Sequence, residues 1–120
     1  MSPRWSAWVK AIHEAGAEAV LITAASHHTR GAEPEYLRKR HLRHLEDLVP
    51  IHQAYLDATR RAAAEWGAVL CDAAAHFAAL PASHAPLFRK DGIHLTEAGD
   101  RELASILAVR IDEASRHVAY

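Results

Sequence analysis

Ala17-Glu18-Ala19-Val20-Leu21-Ile22-Thr23 is a short, nearly continuous apolar run. It lacks the strict alternation of a strand with one wet face, and so reads as a parallel strand buried on both faces. Immediately before it, Gly16 reads as the C′ residue that ends a helix. That helix carries Trp5, Trp8, Val9 and Ile12 at i, i+3, i+4 and i+7, with Ser2 as N-cap and Pro3 at the first helical position. After the run, residues 24–34 form a loop that places Ser26, His27, His28 and Gly31 at the strand's carboxyl end.

Residues 35–67 are helical in character but contain Pro50, which lacks a backbone donor and clashes with the preceding turn. They read as two helices, or one kinked helix, breaking near Val49. Leu37, Leu42, Leu45 and Leu48 stripe the first part. Ile51, Tyr55, Ala58, Ala62 and Trp66 are the expected buried face of the second, which Gly67 ends. Trp5, Trp8 and Trp66 read as core anchors. Residues 68–72 form a second strand, residues 73–80 a short helix or turn, and residues 81–90 a loop punctuated by Pro81 and Pro86. Thr96 is placed to cap a final helix with Glu97 and Asp100 in its first turn, where acids suit the dipole. Leu103, Ile106, Leu107, Ile111 and Ala114 are its expected buried stripe.

This order of elements predicts an α/β fold with parallel strands joined by a right-handed crossover. Ligand sites in open α/β sheets lie beyond the carboxyl ends of the strands. The loops of residues 24–34 and 73–94 both emerge there. A sheet usually needs three or more strands to stand alone. An exposed edge is therefore expected beside residues 17–23 or 68–72, open to self-pairing or to a partner chain.

The 120 residues suit a single domain, and 50% of them are hydrophobic, enough for a core. A net charge of −1 gives no general attraction to nucleic acid or anionic membrane. The basic run Arg38-Lys39-Arg40-His41-Leu42-Arg43-His44 is flanked by acids and reads as a solvated helix face. No apolar run reaches the length of a membrane span, and the N-terminus lacks the apolar block of a signal peptide. A cytoplasmic protein is the default expectation, although an export signal encoded upstream would not be visible. Cys71 is the single cysteine, so no internal disulfide forms. The ten histidines include no His-x-x-x-His pair on a helix and no cluster around Cys71, so neither a metal nor another cofactor is expected.

The chemistry concentrates in Asp91-Gly92-Ile93-His94-Leu95-Thr96. A carboxylate that accepts from one imidazole nitrogen leaves the other free as a base. Gly92 relaxes the turn that lets Asp91 fold back on His94. The plain alternative is a loop ion pair leading into a helix.

Asp91-Gly-Ile-His94-Leu-Thr-Glu-Ala-Gly99 resembles the last conserved block of the SGNH (GDSL-type) hydrolases, a family of serine esterases, lipases and carbohydrate deacetylases. Ala15-Gly16-Ala17 leading into residues 20–23, and Trp66-Gly67-Ala68-Val69-Leu70-Cys71-Asp72, resemble two of that family's later strands. The resemblance implies a three-layer α/β/α, flavodoxin-like fold of about five parallel strands. This chain would be its C-terminal portion, truncated to about two strands with their covering helices. It implies hydrolysis of a carboxylic ester through an acyl-serine, with His94 as base, Asp91 as its orienter and no cofactor. The family's Gly-Asp-Ser nucleophile block is absent, and so is its oxyanion Asn, since the chain contains no asparagine. Ser26, and after it Ser83, are the candidate substitutes for the nucleophile. The expectation is an esterase-family chain inactive alone: a fragment, one half of a split enzyme, or a non-catalytic α/β module that pairs through an open sheet edge.

Overall fold

The computed structural model describes residues 3–25, 45–81, 86–89 and 94–117. Within them run α1 (Pro3–Glu14), β1 (Val20–Ile22), α2 (Leu45–Trp66), β2 (Val69–Cys71), α3 (Ala73–Ala79) and α4 (Glu97–His117). The strands pair in parallel, with Val20 opposite Val69, Leu21 opposite Leu70 and Ile22 opposite Cys71. The fold is mixed α/β. Among the described residues it has four helices and a two-stranded parallel sheet.

Both helix-to-strand turns are closed by glycine, as the sequence suggests. Gly16 sits at φ +82°. Its N–H donates to the His13 carbonyl at 3.0 Å, and the Ala17 N–H reaches back to Ile12 at 3.1 Å. This is the reciprocal pair of bonds of a Schellman closure. Gly67, at φ +68°, ends α2 similarly, with Ala68 donating to Ala63 at 3.0 Å. In each case the chain is turned directly into a strand.

Alternation along the strands divides the core into two sides. Ala19 and Leu21 face a cluster with Val9 of α1 and Ala62 and Ala63 of α2, joined by Ala68 and Leu70. Val20 faces the other way, beside Ile111 and Ala114 of α4. Helices therefore cover both sides of the sheet. The small side chains of Ala62 and Ala63 let α2 lie close against the strands.

Several expected faces are corrected. Among the described side chains of α2, Ala62 is buried as expected, joined by Leu56 and Ala63, whereas Ile51, Tyr55 and Trp66 are 53%, 72% and 40% exposed. The contact face is rotated by about one residue from the one that the bulky side chains suggest. On α1, Val9 is buried, but Trp8 is 63% exposed and Ile12 lies near the surface. Trp8 and Trp66 are thus not core anchors, and the Trp5 side chain lies outside the described residues. On α4, Ala114 is buried as expected, but Ile111 is exposed. Of the two readings around Pro50, the single helix holds, because α2 is continuous through it. The ring is exposed and removes one hydrogen bond, that to the carbonyl of residue 46, which a helix long enough to pack on the sheet tolerates.

The corrected α1 face has a measurable consequence. Val9→Ala should cost about 2 kcal/mol of unfolding free energy, through lost burial and the cavity left behind. Trp8→Ala should stay within about 0.5 kcal/mol. Urea unfolding of the two variants checks this, and the reverse order would restore the tryptophan face.

Candidate functional site

The carboxyl ends of β1 and β2 meet in a polar cluster built from Thr23, Asp72 and Arg60. Asp72 follows β2 and caps α3, its Oδ1 accepting from the Ala75 N–H at 3.3 Å. The same oxygen accepts from the Thr23 hydroxyl at 2.9 Å. Thr23, which is 1% exposed, accepts in turn from the Ala74 N–H at 2.9 Å. Arg60 closes the cluster from α2 as a fork, with Nε on Asp72 Oδ2 at 2.8 Å and Nη2 on Oδ1 at 3.1 Å. Its Nη1 reaches Asp57 at 3.2 Å.

The electrostatics follow from these contacts. The Arg60 hydrogen bonds hold the Asp72 carboxyl below its ordinary value, further helped by Thr23 and the Ala75 N–H and opposed by partial burial. Asp72 in turn raises the Arg60 guanidinium. The pair is thus a fixed ionic clasp between α2, both strand ends and α3.

Beside the clasp lies a cavity of about 140 Å³ between α2, α3 and Phe88. Leu56, Phe77 and Ala78 line its apolar part, and His52, Gln53 and Arg60 its polar part. The Phe77 and Phe88 rings stand 5.6 Å apart. Phe88 also pairs with Leu95 in an isolated antiparallel bridge, and the Arg89 N–H donates to the His94 carbonyl at 2.8 Å. His94 is exposed on this segment. Two residues further on, the Thr96 hydroxyl accepts from the Gly99 N–H at 3.2 Å and opens α4, the cap expected from the sequence.

Of the expected site residues, His94 is placed on the surface, one residue from the bridge that holds Phe88. Asp91, Ser26 and Ser83 lie outside the described residues, as do His27, His28, His41, His44 and the basic run 38–44. Cys71 offers no alternative nucleophile: it is 1% exposed, and burial pushes its thiol up, away from the reactive thiolate. Among the described residues, no group of three or more His, Cys, Asp or Glu side chains is placed to hold a metal ion. No described helix is long and apolar enough to cross a membrane.

Two features escaped the sequence reading. The Asp72–Arg60 clasp was half visible, since an Asp between a strand and an alanine-rich helix is a cap signal. Its partner, on the helix before, carries no local mark. His76 of α3 and Glu102 of α4 form an imidazole–carboxylate pair at 2.7 Å. A separation of 26 residues hides such a pair from any motif. Compared with known protein families, curated proteins and solved structures, the chain has no match.

Proposed function

We propose that this chain corresponds to the C-terminal portion of an SGNH-type serine hydrolase domain of flavodoxin-like, three-layer form, keeping the base His94 and its orienter Asp91. The observation that carries the reading is the position of His94. It is exposed, on the segment between the cavity wall at Phe88 and the Thr96-capped start of α4, following two parallel strands. The reaction class is acyl transfer from a carboxylic ester to a serine and then to water. In it an imidazole takes the hydroxyl proton and returns it to the leaving alcohol. The chain holds no Gly-Asp-Ser block and no asparagine. Each missing oxyanion donor costs about 3 kcal/mol of transition-state stabilisation. These residues by themselves are therefore catalytically silent.

The expected result is background hydrolysis of p-nitrophenyl acetate by the purified chain, unchanged by His94→Ala or Ser26→Ala. Activity lost in His94→Ala would overturn the silence. Activity that survives both changes would remove the Ser-His reading.

A second reading, a non-catalytic module that binds a partner or its own copy through the sheet edge, is favoured by one observation. Among the described residues the strands pair only with each other, and Ile22 at the end of β1 is 43% exposed. A concentration-independent monomer in size-exclusion chromatography would count against self-pairing.

A further inference from the structure

Gln53 and Arg60 meet on one oxygen at the polar wall of the cavity between α2, α3 and Phe88. Asp57 Oδ1 accepts from Gln53 Nε2 at 3.1 Å and from Arg60 Nη1 at 3.2 Å. A carboxylate only accepts, so the Gln53 amide turns its nitrogen to Asp57 and keeps its oxygen as an acceptor. Arg60 commits three N–H groups to Asp72 and Asp57, out of the five that a guanidinium carries. Among the described residues, the remaining Arg60 N–H groups and the Gln53 Oε1 bond no protein atom. The shared Asp57 oxygen therefore holds spare donors and a spare acceptor side by side.

The other walls are apolar. Leu56, Phe77, Ala78 and Phe88 line them, and the two phenylalanine rings stand 5.6 Å apart. Among the described residues, no carboxylate lines the cavity. Its volume is about 140 Å³. An apolar protein cavity of about 150 Å³ takes up benzene, so this one has space for a single aromatic ring.

We infer that the cavity binds a small phenol, with the ring against Leu56, Phe77 and Phe88 and the hydroxyl accepting from Arg60 and donating to Gln53. A hydroxyl donates and accepts at one atom, which matches the pair of groups on this wall. A bare ring leaves both groups unmet on losing their water. A carboxylate has no hydrogen to give and sets its charge against the Gln53 oxygen. A phenol is uncharged at neutrality, since such hydroxyls titrate near about pH 10. The space is filled by one ring, so the ligand is a free molecule and not a tyrosine presented by a partner. None of this uses His94 or acyl transfer.

The test is a titration of the ¹⁵N-labelled chain with phenol, benzene and N-acetyltyrosinamide, each separately, at pH 7. Phenol should shift the amides of Leu56, Ala74, Ala78 and Phe88 saturably, with Kd on the order of 1 mM for so small a ligand. Benzene should bind about tenfold more weakly, for want of the two hydrogen bonds. N-acetyltyrosinamide should give no saturable shift. Gln53→Leu, on an exposed helix position, should weaken phenol about fivefold and leave benzene within about twofold. Ala78→Met and, independently, Ala75→Met, each with an unchanged far-UV spectrum, should fill the space and abolish the shifts.

No saturable shift with phenol, benzene binding as tightly as phenol, or undiminished phenol binding by Gln53→Leu or by both filled variants would overturn the proposal. N-acetyltyrosinamide binding as tightly as phenol would overturn the assignment to a free molecule. The readout is binding, so it stands apart from hydrolysis.

Discussion

Asp72→Ala should lower the unfolding free energy by about 3 kcal/mol, the largest loss expected from a single polar change among the described residues. Removing the carboxylate deletes the α3 cap, worth about 1 kcal/mol. It also leaves the Thr23 hydroxyl, 1% exposed, without its acceptor, at about 1–3 kcal/mol. The ion pair itself adds little, because Arg60 and Asp72 keep 31% and 28% of their side-chain surface in water, and a screened pair is worth at most about 1 kcal/mol. Asp72→Asn, which keeps the shape and the cap, should cost about half as much.

The pH dependence separates these contributions. In the folded chain the Asp72 carboxyl is held below its ordinary value of 3.8. A depressed carboxyl contributes stability that is fully present above its unfolded pKa and is lost as pH falls through the folded one. The gap between the native chain and Asp72→Asn should therefore be constant from neutrality down to about pH 4.5 and close below about pH 4. Denaturant titrations across that range measure it. A gap that widened in acid would mean that the carboxylate is not the stabilised form.

Gly99→Ala should destabilise by about 2–3 kcal/mol, although alanine is the better helix former by about 1 kcal/mol. A Cβ there would stand 2.2 Å from the Leu87 carbonyl oxygen and 3.1 Å from the Leu95 Cβ. The obstacle is backbone and cannot rotate away. The Leu87 carbonyl also accepts the Thr96 N–H at 3.0 Å, so any shift that relieves the clash opens the start of α4. The same displacement would move the segment that carries His94. Gly67→Ala is the contrast. Nothing lies within 4 Å of its Cβ position, and only the left-handed backbone is penalised, at about 1 kcal/mol. Thermal unfolding of the pair distinguishes a steric cause from a conformational one, and equal losses would remove the steric account.

Local signals in the sequence transferred well to the structure. The apolar runs that became β1 and β2, the glycines that stop α1 and α2, and the Thr96 cap all depend on near neighbours, so a short window contains their cause. The buried faces of the helices transferred only in part: Val9, Ala62 and Ala114 are buried as expected, whereas Trp8, Ile51, Tyr55, Trp66 and Ile111 are exposed. Tyr55 and Trp66 are large, but the sheet selects the alanine side of α2, because closeness of approach outweighs the area that one aromatic ring would bury. Arg60 lies on that inward side only because Asp72 waits at the strand end, and no periodicity records such a pairing. His94 was singled out from its motif, and the structure places it on the surface before α4. The clasp at the strand ends joins residues 49 apart and became visible only once the strands were paired.

The direct turns at Gly16 and Gly67 make chain length between helix and strand a quantised variable. One residue added after Gly67 would turn β2 over, sending Leu70 towards α4 and Val69 and Cys71 towards α1 and α2, and would carry Asp72 away from Arg60. A pair of added residues would restore the sidedness while pushing the strand end outward by about 7 Å. Insertions at these connectors are therefore compatible with the strand faces only in even steps.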